Sequence, residues 1–331
     1  MRVSQLLFFI IPATVSYYVS SSLQYSIYVG IAFLFLKSFC SRSFVVSTML
    51  ISLPCTLFSQ IAQYILQLKI PFYWLRRILI EQIIKAQKII LADFTKNSTQ
   101  FSSLQELFRR EIDLTKRGLV DIQGVFQHPG PNQMSVYAPA DSVLVQFGYL
   151  SQEFMKQNPI KGLQFSLEEL VGERVNYSAT GKYCYTAFQM KQNQYHGFAS
   201  PFNCVVNKVQ AVKGEMKPLH PPFMNHMRGL IAKNSRIVIQ GKIQDKYCAV
   251  VAVSSLAAGK TQINRIKVEQ NIFKKNKQTI TEECFVCGEN LGILDAGYVI
   301  VVFEIAGNTD VQVLKTGVVQ LGDEVLKISK L

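Results

Sequence analysis

The strongest constraint in this sequence is where charge is missing. The first acidic residue of the 331 is Glu81. Only Arg2, Lys37, Arg42, Lys69, Arg76 and Arg77 carry charge before it, and Val3–Leu36 and Ser43–Leu68 carry none. A bilayer-spanning helix needs about 20 mainly apolar residues. Ser43–Leu68 therefore reads as one span, kinked at Pro54. Val3–Leu36 is interrupted at Ser20-Ser21-Ser22, so it reads as a hairpin of two short spans or as one tilted span. Tyr17, Tyr18, Tyr25 and Tyr28 flank that break, as interfacial aromatics do. The competing reading of the first residues is a secretory signal peptide, with Arg2 followed by LLFFIIPATV.

The rest of the chain is different in kind. The whole sequence has 35 Lys+Arg against 22 Asp+Glu, a formal charge of +13, and the six early cations account for about half of that excess. The residues behind Glu81 approach the charge content of an ordinary soluble domain. Disorder, collagen and small disulfide scaffolds are excluded on composition. No basic stripe interleaved with aromatics is present, so no nucleic-acid partner is expected. Between the two regions, PFYWLRRILIEQIIKAQKIILADF alternates Ile/Leu with Arg76, Arg77, Lys85 and Lys88. That pattern suits a helix lying at a membrane surface, and equally a core-facing helix with a solvated basic face. The flanking cations favour the negative side of a bilayer.

From about residue 120 the pattern shortens to β-branched runs such as VVNKVQAV, RIVIQGKI, YCAVVAV, GYVIVVFEI and VQVLKTGVV, each bounded by turn residues. The chain thus divides into a transmembrane segment over 1–72 with two or three helices, an amphipathic helical region over 73–120, and a β-rich domain over 121–331.

A series of blocks in that domain resembles the phosphatidylserine decarboxylase family, membrane-anchored enzymes that use a self-generated pyruvoyl group. Ser103–Arg110 (SLQELFRR) is similar to the family's "S-L-x-E-F-F-x-R". Ala138-Pro139-Ala140-Asp141-Ser142 is similar to "S-P-x-D-G". Lys161-Gly162 and Phe165–Gly172 are similar to "V-K-G-x-x-Y-S-L-E-x-L-L-G". Tyr195–Pro201 is similar to "Y-H-x-x-H-x-P", Gly214-Glu215 to "P-G-E-L", Asn234–Val238 to "N-E-R-V-V", and Val251-Ala252-Val253 to "V-A-V-G-A-T". The fold class expected is α+β: a β-rich decarboxylase-like body preceded by N-terminal transmembrane helices.

The resemblance also implies a site, and the sequence departs from it there. The family's serine, in "L-G-S-T", attacks the preceding carbonyl and becomes the pyruvoyl group, which holds the substrate amine and accepts electrons as carbon dioxide leaves. Asp295-Ala296-Gly297-Tyr298 stands opposite that block, so Gly297 holds the serine's place, and no Ser, Thr or Cys occurs from Gly288 to Asn308. The family's triad Asp corresponds to Asp141, and the first His of its paired block to His196. The triad His has become Ala199. The expectation from these departures is a pseudoenzyme without a pyruvoyl cofactor, in which Asp141 and His196 are vestigial and Ala199 and Gly297 mark lost functions. As such it would be an accessory or scaffold subunit of a complex in the mitochondrial inner membrane, with membrane lipids and other subunits as partners. The alternatives are a phospholipid-binding module, with His196 and Lys161 near a head group, or a phosphatidylserine decarboxylase making phosphatidylethanolamine. Cys284 and Cys287 form a C-x-x-C pair, but a zinc site needs two more ligands, so no metal is expected. Seven cysteines cannot all pair.

Overall fold

The computed structural model describes residues 55–89, 94–113, 134–150, 165–175, 181–191, 194–219, 224, 229–256, 261–264, 268–269, 277–307 and 309–330. The chain divides into two units, Met1–Leu53 and Pro54–Leu331. All of the described residues belong to the second.

That unit opens with helices α1 (Cys55–Gln67) and α2 (Tyr73–Gln87) and the short α3 (Leu104–Phe108). Strands β1 (Met134–Tyr137) and β2 (Ser142–Leu150) follow, then α4 (Leu167–Val171), β3 (Gly181–Gln189), β4 (Gly197–Ala199) and β5 (Cys204–Val212). After α5 (Leu230–Lys233) the described regular elements are strands: β6 (Arg236–Ile243), β7 (Lys246–Ser254), β8 (Gln262–Ile263), β9 (Val268–Glu269), β10 (Lys277–Phe285) and β11 (Asn290–Ile293). The last four are β12 (Gly297–Ala306), β13 (Thr309–Val313), β14 (Gly317–Val319) and β15 (Glu324–Lys330).

The central feature is an eight-stranded antiparallel sheet in the order β10-β5-β6-β7-β12-β3-β2-β14. An antiparallel sheet with one solvated face shows alternating polar and apolar residues. Here the central strands are apolar on both faces, because both are covered. On β12, Val299, Val301 and Phe303 enter one core, while Tyr298, Ile300 and Val302 enter the other. The first core is closed by two smaller sheets, β1-β15-β13 and β4-β11-β8-β9, through Val136, Leu326, Ile328, Phe198, Leu291 and Ile263. The second is closed by α4, α5 and the chain before α5, through Leu167, Leu170, Leu219, Leu230 and Ile231. A third, smaller core gathers residues of α2, of α3 and of the chain between them, with Ile80, Ile84, Phe101 and Leu107 at its centre.

Two of the family-like blocks are local structural devices. In α4, Ser166 Oγ accepts from Glu169 N–H at 3.0 Å while the Glu169 carboxylate accepts from Ser166 N–H at 2.8 Å. This is the reciprocal capping box that the SLEE sequence encodes. In Asn234-Ser235-Arg236, three buried polar side chains stitch loops together. Asn234 Nδ2 donates to Lys217 and Ser254 carbonyls at 2.7 and 2.8 Å, and Ser235 bonds both backbone groups of Gly214 at 2.9 Å. Arg236 donates to the carbonyls of Glu169, Leu170, Ala232 and Asn234, capping both short helices. Burial pulls its pKa down to about 10, because an apolar setting disfavours the charged form.

The expected α+β architecture with spanning helices requires correction. The described fold is β-rich with short helices, and no described helix is long and apolar enough to cross a membrane. Helix α1, which takes up the later part of the expected Ser43–Leu68 span, has 13 residues. The expected spans over Val3–Leu36 and the start of the next one lie outside the described residues. In the amphipathic region, α2 buries Ile80 and Ile84 in the core it shares with α3 and leaves Tyr73, Trp74, Ile78 and Leu79 exposed.

Candidate functional site

The candidate site lies where β12 begins. Strand β11 pairs with β4, and Leu294 N–H then donates to the His196 carbonyl at 2.9 Å, bringing the turn 294–297 beside His196. The turn is held on its other side by Ser255 N–H to the Ala296 carbonyl and Met190 N–H to the Gly297 carbonyl, both 3.0 Å. Gly297 opens β12 directly across from Ser254. The buried Ser254 hydroxyl lies 2.8 Å from Thr261 Oγ1.

Helix α3 covers this turn. Its Phe108 ring stacks on the His196 imidazole, with centroids 5.7 Å apart and planes 11° from parallel. The next residue, Arg109, forms a two-point ion pair with Asp295: Nε to Oδ1 and Nη2 to Oδ2, each 2.7 Å. Arg110 is buried, donates to the Gln194 carbonyl at 3.3 Å and lies over the Phe94 ring.

The sequence-derived residues fall as follows. Asp141 is buried, and its Oδ1 accepts from Leu321 N–H at 2.9 Å, tying the turn before β2 to the turn before β15. Ala199 N–H donates to the Pro139 carbonyl at 2.7 Å, so the position opposite the family's second histidine sits against the Asp141 turn. His196 and Gly297 meet at the turn just described. Lys161 lies outside the described residues. Cys284 is exposed whereas Cys287 is buried, with its thiol pushed up to about 12 by burial. The two therefore do not share one face, and no group of three or more metal-ligating side chains occurs among the described residues. Burial also pushes the Tyr298 phenol up to about 12, and it donates to Met224 Sδ at 3.4 Å, away from the turn.

Comparison with known proteins adds a family. The model for phosphatidylserine decarboxylase matches residues 105–327, more than half of the chain. The chain belongs to the phosphatidylserine decarboxylase family. A relative named phosphatidylserine decarboxylase proenzyme in Plasmodium falciparum is 25% identical over 167 residues, covering 49% of this chain and 43% of that protein. One of the same name in Chlamydia caviae is 24% identical over 261 residues, covering 78% and 75%. A mitochondrial proenzyme of Caenorhabditis elegans is 24% identical over 175 residues, covering 50% and 45%. The chain thus spans less than half of the Plasmodium and Caenorhabditis relatives. These proteins carry the names of enzymes, which overturns the expectation that the chain is not one.

The decarboxylase family implies a pyruvoyl group, so the fit of residue 297 to its precursor matters. Gly297 has φ +140°, and a Cβ built there would overlap the Val253 carbonyl oxygen of β7. L side chains rarely adopt that conformation, whereas glycine adopts it freely. An L-serine, the precursor of a pyruvoyl group, does not fit this geometry at residue 297. The hydroxyls nearest in register belong to Ser254 and its partner Thr261.

Sequence reasoning missed the pairing of Arg109 with Asp295. A signal was present: Asp295 places a charge where the family block has an apolar Leu. Its partner, 186 residues earlier, could not be read from spacing.

Proposed function

We propose that this protein recognises phosphatidylserine-class lipids at a membrane surface, as a member of a family whose named relatives decarboxylate that lipid. The observation that carries the reading is the overlap of the family match with the covered turn, where His196, Phe108, Arg109 and Asp295 come together. Decarboxylation to phosphatidylethanolamine is the activity implied by the relatives' names and the first to assay. The residues at the turn support the binding step more directly than the bond-breaking step. We propose further that residue 297 itself carries no pyruvoyl group.

A membrane surface as the working location is supported by Phe72, Tyr73, Trp74, Ile78 and Leu79, large apolar side chains exposed at and around α2 beside Arg76 and Arg77. An exposed apolar patch flanked by cations suits an interfacial helix. The experiment is sedimentation of the full-length protein with phosphatidylcholine vesicles with and without phosphatidylserine, followed by assay of carbon dioxide release. Co-sedimentation selective for phosphatidylserine is expected, and carbon dioxide release would add the relatives' activity. Equal sedimentation with both vesicles would overturn the reading. Labelling by a carbonyl-reactive probe of a fragment beginning at residue 297 would refute the statement about the pyruvoyl group.

A further inference from the structure

The Arg109–Asp295 pair differs from an ordinary surface salt bridge in three ways. It is two-point, the fork arrangement by which a planar guanidinium selects a carboxylate. It is mostly removed from solvent, with side-chain exposures of 20% and 11%. And it lies within the candidate site, two residues ahead of Gly297 and next to the Phe108–His196 stack. The turn does not need the Asp295 side chain for its shape, because Leu294, Ala296 and Gly297 are already tied by backbone hydrogen bonds to His196, Ser255 and Met190. The carboxylate is therefore positioned for Arg109 rather than for the turn.

We propose that Arg109 is the group that recognises the carboxylate of a serine headgroup, and that Asp295 occupies it as an internal stand-in when no lipid is bound. Exchange of one carboxylate for another leaves the charge beside Arg109 unchanged, so lipid entry avoids stranding a mostly buried guanidinium. A guanidinium fork takes phosphate as well as carboxylate, so the test includes a lipid that offers a phosphate and no carboxylate. This inference rests on the lipid reading above and adds to it the group being recognised and the residue that competes for it.

The test measures vesicle affinity for the full-length wild type, Asp295→Asn and Arg109→Lys. Vesicles of phosphatidylcholine carry equal amounts of either phosphatidylserine or phosphatidylglycerol, which has the same net charge without a carboxylate. Asp295→Asn removes the competitor and is expected to tighten phosphatidylserine binding about tenfold, roughly 1.4 kcal/mol, with phosphatidylglycerol unchanged. Arg109→Lys keeps the charge but loses the fork, and is expected to abolish the preference for phosphatidylserine. A folded Asp295→Asn that shifts neither lipid, or shifts both alike, would overturn the inference while leaving wild-type selectivity and the lipid reading intact. Should Asp295→Asn fail to fold, Arg109→Lys decides: a retained preference for phosphatidylserine overturns it. A wild type without that preference defeats the lipid reading itself.

Discussion

At the scale of single residues, position 297 and position 236 show two ways a family-like sequence can be read. Gly297 stands out in the sequence because the family block expects a hydroxyl there, and the structure adds a steric reason why no side chain is tolerated, with the Val253 carbonyl as the obstacle. Gly297→Ser is therefore expected to destabilise the fold by about 1–3 kcal/mol, the usual cost of forcing extra atoms into a packed site. Denaturant unfolding with an unchanged m value checks it, and a neutral result would mean the strand start is free to move. Arg236 is the opposite case. The sequence offers it only as part of a resemblance, whereas the fold shows a buried cation serving four carbonyls. Arg236→Met strands those acceptors, and a loss on the order of 3 kcal/mol is expected from hydrogen bonds to a charged group. Arg236→Lys should recover only part of it, since one ammonium cannot span the same fork.

At the scale of elements, the strand runs were legible because both sheet faces are buried. RIVIQGKI is β6 from end to end, and GYVIVVFEI falls within β12. VQVLKTGVV was not one element. It splits into the end of β13 and β14, because Gly317 takes φ +77° and turns the chain from the three-stranded sheet to the edge of the large one. Glycine reaches that left-handed region without steric cost. Helix starts were legible too: Ser103 and Ser166 each accept from the N–H three residues on, as N-cap residues do. At α3 the Glu106 carboxylate reaches back to Ser102, taking its N–H and its hydroxyl at 2.8 Å each. The Ser102 N–H holds the Glu106 pKa below the usual carboxylate value, against a smaller opposing effect of burial. Such a bond favours the charged form. A depressed folded pKa contributes stability that is present above the unfolded pKa and is lost as pH falls through the folded one. The α3 cap is thus expected to weaken as pH falls below the ordinary glutamate range. Hydrogen exchange at Ser102 should accelerate relative to the β12 core on acidification, and Glu106→Gln should flatten that dependence. A Ser102 amide equally protected in both proteins at every pH would count against it.

At the scale of the whole molecule, what sequence patterning conveyed least was the coupling between α2 and the site. The charge-free segments suggested a membrane, but through spanning helices, whereas the described part that suits a bilayer is the outer face of α2. Ile80 and Ile84 of that helix share a core with Phe101 and with Leu107 of α3, Phe108 lies at the margin of the same core, and Phe108 stacks on His196. A helix settled on a bilayer through its exposed aromatics would thus sit one helix away from the turn that holds Arg109 and Asp295. Such contact is accessible to a direct measurement, because Trp74 is the chain's one tryptophan and is 63% exposed. Aromatic side chains of this kind favour the headgroup level of a membrane. Adding vesicles that contain anionic lipid should shift Trp74 emission to the blue and protect it from an aqueous quencher, while pure phosphatidylcholine should do much less. Arg76 and Arg77 supply the electrostatic part, about 1 kcal/mol for each charge near an anionic surface, so reversing both to Glu should cut affinity by well over tenfold. Raised salt should weaken wild-type binding, since charges held at a surface are screened over a Debye length. An emission spectrum indifferent to anionic vesicles, in a protein that still sediments with them, would move the contact surface away from α2 and separate membrane attachment from the helix that covers the site.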